Sequence, residues 1–220
     1  MLALYLRRVL ASSLFFFVAT AHAQQYTVTS LGTLGGTGIV GNGINDSGQV
    51  TGESETAGDG PLHAFLYSNG TMQDLGTLGG SDSQGNGINA SGQVTGFSTP
   101  PGNAAYHAFL YSSGTMQDLG TLGGTNSYGN GINAGGQVTG DSYTAYGATH
   151  AFLYSNGTML DLNSSAEIGG AASLYTLVSG QAINDNGQIL VDGYVNATPY
   201  QKKRGVAADS DRGIFQRRVV

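Results

Sequence analysis

The chain has 220 residues, of which 37 are Gly and 4 Pro, so these two types fill about 19% of it, where Gly alone is usually ~7%. That excludes an ordinary helical protein, while a hydrophobic share of 40% is enough for a packed core, with Gly as punctuation between packed segments. The net charge is -6, but all eight Lys and Arg lie at the ends and none occurs between Gln24 and Tyr200, a body holding twelve of the fourteen acids. Such a body cannot neutralise a phosphate backbone, which excludes nucleic acid and anionic lipid as its partners.

Taken in chain order, residues 1–23 read as an export signal. Arg7-Arg8 precede an apolar run from Val9 to Ala21, and Ala21-His22-Ala23 forms a small-x-small cleavage site before Gln24. The run is too short for a bilayer span of ~20 residues, and no second apolar span follows, so no stable membrane anchor is expected. The expected location is secreted or at the cell surface, with the periplasm as the other destination. There are no cysteines, so the exported chain must fold on its core alone.

Residues 24–200 form a repeat domain. His63-Ala64-Phe65-Leu66-Tyr67-Ser68 returns at His107 and His150, Leu31-Gly32-Thr33-Leu34-Gly35-Gly36 returns at Leu75 and Leu119, and Gly43-Ile44-Asn45 returns at Gly87, Gly131 and, as Ala182-Ile183-Asn184, at 182. The period is about 44 residues, giving units 63–106, 107–149 and 150–196 after a partial unit 26–62 that begins without a His-Ala-Phe strand. Within a unit, His-Ala-Phe-Leu-Tyr-Ser is a short strand ending at Asn69-Gly70, Ser113-Gly114 or Asn156-Gly157, the turn pairs of a two-residue hairpin. Thr71-Met72-Gln73-Asp74-Leu75 is the return strand, and Asn89-Ala90-Ser91-Gly92 turns a second hairpin.

Four short antiparallel strands per unit predict an all-β fold of β-propeller-like blades, the ring being incomplete, with a β-solenoid as the alternative. Taken together, these motifs look like the bacterial extracellular repeat named for its His-Ala-Phe triplet, the HAF family, over about residues 26–196. The resemblance implies secretion or surface display, propeller-like repeats, and no characterised catalytic residues. It breaks after Asn196, where another His-Ala-Phe strand is expected and Tyr200-Gln201-Lys202-Lys203-Arg204 stands instead. Residues 201–220 are a non-repeat basic tail: a shifted or truncated reading frame, a disordered terminus, or a functional segment docking on anionic polymer or an acidic neighbouring copy. An unpaired strand left by the incomplete ring also predicts self-association through an open sheet edge.

The body offers little for catalysis: no Cys, no cation for oxyanion or phosphate stabilisation, and no nucleophile elbow or phosphate loop. Asp74, Asp118 and Asp161 are repeat-equivalent acids rather than a unique pair. His63, His107 and His150 are the candidate metal ligands, set against a hydrogen-bonding role toward a neighbouring blade's backbone. Asn, Asp and Gly in the turns, as in Asn184-Asp185-Asn186-Gly187, invite calcium, although turn chemistry explains them too. Asn69-Gly70-Thr71 and Asn156-Gly157-Thr158 match a glycosylation acceptor for the same turn-forming reason. The segments Glu53–Leu62, Phe97–Tyr106 and Asp141–Thr149 vary between similar units, as partner-binding loops do, and Tyr106, Tyr143 and Tyr146 on them are candidates for stacking on a partner. The expected function is a non-catalytic binding, adhesion or scaffold module for a surface glycan or protein; the alternative is a carbohydrate-active propeller enzyme.

Overall fold

A computed structural model describes residues 28–164 and 174–196. The proposed signal at 1–23 and tail at 201–220 therefore lie outside the described residues. All of the strands belong to one compact unit that begins at Leu31. The described part is all-β, with no helix, built from strands β1 (Gly35–Ile44), β2 (Val50–Thr56), β3 (Leu62–Ser68), β4 (Thr71–Asp74), β5 (Ser83–Ile88), β6 (Val94–Ser98), β7 (His107–Ser112), β8 (Thr115–Asp118), β9 (Gly123–Ile132), β10 (Val138–Thr144), β11 (Thr149–Ser155), β12 (Thr158–Asp161), β13 (Tyr175–Ile183) and β14 (Ile189–Val195).

They form antiparallel sheets in which chain neighbours pair: β1-β2-β3-β4, β5-β6-β7-β8, β9-β10-β11-β12 and the two-stranded β13-β14. The tight turns follow the sequence directly. Asn69 and Gly70 have φ of 51° and 80°, and the pairs at 113–114 and 156–157 repeat this, as a two-residue hairpin joining twisted strands requires. Each sheet is phased differently from the unit counted from His63. The His-Ala-Phe strand pairs backward with the Val-Thr-Gly strand, as Phe65 opposite Gly52 and Phe109 opposite Gly96 show, and so stands third in its sheet. The first sheet therefore contains a His-Ala-Phe strand, and the Leu-Gly-Thr-Leu-Gly-Gly segments cross from one sheet to the next. Among the described residues it is the last sheet that has only two strands.

Sheets stack face to face, and the core lies between them in layers. Ala64, Leu75, Val94, Phe109 and Tyr111 fill the first layer, Ala108, Leu119, Val138, Phe152 and Tyr154 the second, and Ala151, Leu162, Leu177, Ile183 and Ile189 are among those in the third. The repeat of about 44 residues is thus a repeat of interfaces, because no single sheet can bury both its faces. Apolar burial, at roughly 25 cal/mol per Å², drives this stacking without help from Lys or Arg pairs.

Glycine makes the close approach feasible. In the first strand of each full sheet the register slips at Gly41/Gly43, Gly85/Gly87 and Gly129/Gly131, leaving Asn42, Asn86 and Asn130 as bulge residues. Each bulge Asn aims its Nδ2 at the following sheet, donating to the carbonyls of Gly85, Gly129 and Gly180 at 2.9, 2.9 and 3.0 Å. A Cβ on Gly85, Gly129 or Gly180 would collide with the Oγ1 of Thr51, Thr95 or Thr139 of the preceding sheet. Those threonines are fully buried, and each hydroxyl donates to the carbonyl of Phe65, Phe109 or Phe152 at 2.8 Å.

Candidate functional site

The three candidate metal histidines do not converge. Each is bound within its own sheet: His63 Nδ1 lies 2.9 Å from Asp74, His107 Nδ1 2.8 Å from Asp118, and His150 Nδ1 2.8 Å from Asp161. Asp74 stands opposite Phe65 in the ladder, so His63, two residues earlier on the same face, is its diagonal neighbour. The other carboxylate oxygen accepts the backbone N–H of Gly76, Gly120 or Asn163 and so fixes the chain as it leaves the strand. The partner is thus a carboxylate of the same sheet, where the sequence suggested a neighbouring backbone. Among the described residues no group of three His, Cys, Asp or Glu is placed to hold a metal ion.

Bridging between sheets falls instead to Asn and Ser. Nδ2 of Asn45, Asn89 and Asn133 donates to the main-chain oxygen of Asn89, Asn133 and Asn184 in turn, at 2.9, 3.0 and 3.1 Å. The Oδ1 atoms of these residues accept N–H groups of their own turns, as from Gln49, Gln93 and Gln137. Asn184 Oδ1 is engaged likewise by the N–H groups of Asn186 and Gln188, and Asp185 Oδ1 accepts the N–H of Ala134 from the sheet before. The turn that invited calcium is therefore held by hydrogen bonds of its own.

Side chains that differ between the repeats gather on the strands flanking the variable connections. Phe97 on β6 meets Tyr106, ring centroids 5.4 Å apart and edge to face, and also Tyr128 on β9 at 5.2 Å; Tyr106 and Tyr128 are 6.0 Å apart. Tyr106 is pinned through its backbone, its N–H donating to Asn126 Oδ1 and its carbonyl accepting the N–H of Ser127. Burial pushes the Tyr128 hydroxyl up, with Tyr143, Asp141 and Tyr106 adding to the effect. Asp141, accepting from Ser179 at 3.0 Å and Asn130 at 3.3 Å, is raised by burial in spite of those bonds.

Between the first two sheets lies a cleft of about 220 Å³ lined by Glu53, Leu62, Asp82, Ser83, Gln84, Phe97 and Tyr106. Burial raises the Glu53 carboxyl above its ordinary range. Ser83 is committed to the fold, accepting the Ala64 N–H at 2.8 Å and donating to the Gly76 carbonyl.

Of the tyrosines singled out from sequence, Tyr106 is 38% exposed inside this aromatic group, while Tyr146, 99% exposed, stands clear of it. Tyr143 belongs to β10 and pairs with Thr149, so the variable segments are shorter than their sequence bounds, their ends being absorbed into strands. Tyr128 and Gln84 lie outside the variable segments, and Glu53 and Phe97 stand at the first position of theirs. The signal for the last two is that within Val-Thr-Gly-x-Ser the x is Glu53, Phe97 and Asp141 in turn, an irregular position inside a regular strand.

No protein-family model matches the chain, and no match was found among curated proteins. The class defined by fold and site is therefore structural: an all-β stack of repeated antiparallel sheets with aromatic and acidic side chains grouped where the repeats differ.

Proposed function

We propose that the chain is an exported, non-catalytic binding or adhesion module, related to the HAF repeats its motifs resemble, whose sheets are blades of a propeller-like assembly. The supporting observation is the aromatic group Phe97, Tyr106 and Tyr128 beside a cleft open to solvent, on side chains that depart from the repeat. Residues serving the fold recur at every unit; those serving a partner need occur once. The four-stranded sheets and interface cores support the propeller reading over a solenoid, since each of the first three sheets is a complete four-stranded antiparallel sheet. Ile39, Val40 and Ile44, exposed on β1 at the open edge of the first sheet, support self-association there.

The test is retention of the labelled chain on immobilised polysaccharides and surface proteins. Tyr106→Ala is expected to weaken retention at least fivefold while still melting cooperatively, at a somewhat lower Tm because its ring contacts with Phe97 and Tyr128 are lost, whereas Tyr146→Ala serves as the exposed control. Equal retention of wild type and Tyr106→Ala would remove this site from the proposal.

A further inference from the structure

The cleft at Glu53 has an electrical character that the aromatic group alone does not explain. Glu53 extends from β2 of the first sheet toward a pocket shared with Asp82, Gln84, Phe97 and Tyr106 of the second. Its carboxylate accepts no hydrogen bond among the described residues, unlike Glu55 two residues on, whose Oε2 takes the N–H of Thr37, the N–H of Gly38 and the Thr37 hydroxyl. The contrast shows in their acidities: Glu55 is lowered by those bonds, foremost that from Gly38, while Glu53 is raised by burial with nothing to offset it. A half-buried anion without a partner is a cost the fold carries at this point.

The chain cannot supply the missing countercharge from its body, because no Lys or Arg occurs between Gln24 and Tyr200. Asp82 adds a second carboxylate to the same walls, while Leu62, Phe97 and Tyr106 add apolar and aromatic surface. At about 220 Å³ the space is below the ~300–1,000 Å³ usual for cofactors and drug-sized ligands, and suits one long side chain. A neutral sugar ring would stack on the aromatics but leave both charges uncompensated. A side chain with an apolar stem and a cationic head answers both features, through charge pairing and cation–π attraction.

We propose that this cleft receives a single cationic side chain, a lysine or arginine of a partner protein, with the Glu53 carboxylate as its counter-ion, Asp82 as the second anion and Leu62, Phe97 and Tyr106 along its stem. The inference rests on the binding reading above and specifies the chemistry of the anchoring group. The acidic body steers such a partner inward, so association is fastest at low ionic strength.

The experiment is a titration of the whole protein with Nα-acetyl-lysine amide, followed through backbone amide shifts in two-dimensional NMR at low salt. Nα-acetyl-norleucine amide, which has the stem without the charge, and glucose are the comparison probes. The lysine probe is expected to shift the Glu53, Gln84 and Phe97 amides saturably, with an affinity on the order of 1 mM. Glu53→Gln should weaken it at least fivefold without lowering Tm, because Glu53 holds nothing in the fold. Equal binding of norleucine amide or glucose, unchanged affinity in Glu53→Gln, or no saturable shift with lysine would each overturn the proposal. The probe comparison is made on the wild-type chain and stands even if the variant is unstable. Should the lysine probe fail while Tyr106-dependent retention on a polymer persists, this inference falls and the binding reading survives.

Discussion

Asp141 and Gly85 show how single residues are constrained where two sheets meet. Burial raises the Asp141 carboxyl above its ordinary range, so the folded state holds that proton more tightly than the unfolded chain does. The neutral form therefore favours folding below the usual Asp range, and that contribution is lost as pH rises through the raised folded value. Asp141→Asn, neutral throughout and still able to accept from Ser179, is expected to have the higher Tm at pH 7, with the two proteins converging below about pH 3. Thermal melts across that range test it, and a wild type more stable than the variant at neutral pH would contradict it. Gly85 and Gly41 are repeat-equivalent, yet a Cβ at 85 would strike Thr51 Oγ1, while at 41 the nearest atom is Val50 Cγ1 at 3.7 Å. Gly85→Ala should cost about 3 kcal/mol, Gly41→Ala less than about 1 kcal/mol, as read by urea unfolding.

At the scale of elements, the turn after each first strand joins two functions in one residue. Asn89 Oδ1 accepts from Ser91 and Gln93 within its hairpin, while its Nδ2 donates across to Asn133. Asn184 keeps the bonds within its own turn, but its amide makes no bond to a further sheet among the described residues. Asn89→Ala should lower stability by about 2–3 kcal/mol and Asn184→Ala by about 1 kcal/mol, at unchanged urea m-value. Equal losses would mean that the ladder between sheets contributes nothing. The hairpins themselves were legible in the sequence because Asn-Gly fixes a local backbone shape. The pairing of His-Ala-Phe with the strand before it, in addition to the strand after it, was not, since the connection on that side, residues 57–61 in the first sheet, varies between units and carries no fixed two-residue turn. The His–Asp contacts were hidden for a related reason: a diagonal neighbour across a hairpin becomes visible only when the register is known.

Over the whole molecule, stability is a series of like interfaces, and position in the series decides what a residue does. Ile88 and Ile132 pack against the first and second core layers, but Ile44, at the same place in the repeat, is 71% exposed. Ile132→Ala is expected to cost about 2 kcal/mol and Ile44→Ala less than about 0.5 kcal/mol. The repeat period foretold the stacked all-β architecture, since faces that recur must cover one another. It gave no warning of the cleft, because Glu53 and Phe97 lie in different sheets and are joined only by stacking. The function proposed for this chain is binding without chemical change. Its most direct test is to incubate the whole protein with a polymer that retains it, then recover that polymer for mass spectrometry alongside a binding isotherm. Saturable binding is expected, weakened by Tyr106→Ala, with the polymer recovered at its original mass. Fragments that accumulate with time and vanish in Glu53→Gln or Asp82→Asn would make this a carbohydrate-active enzyme and contradict it.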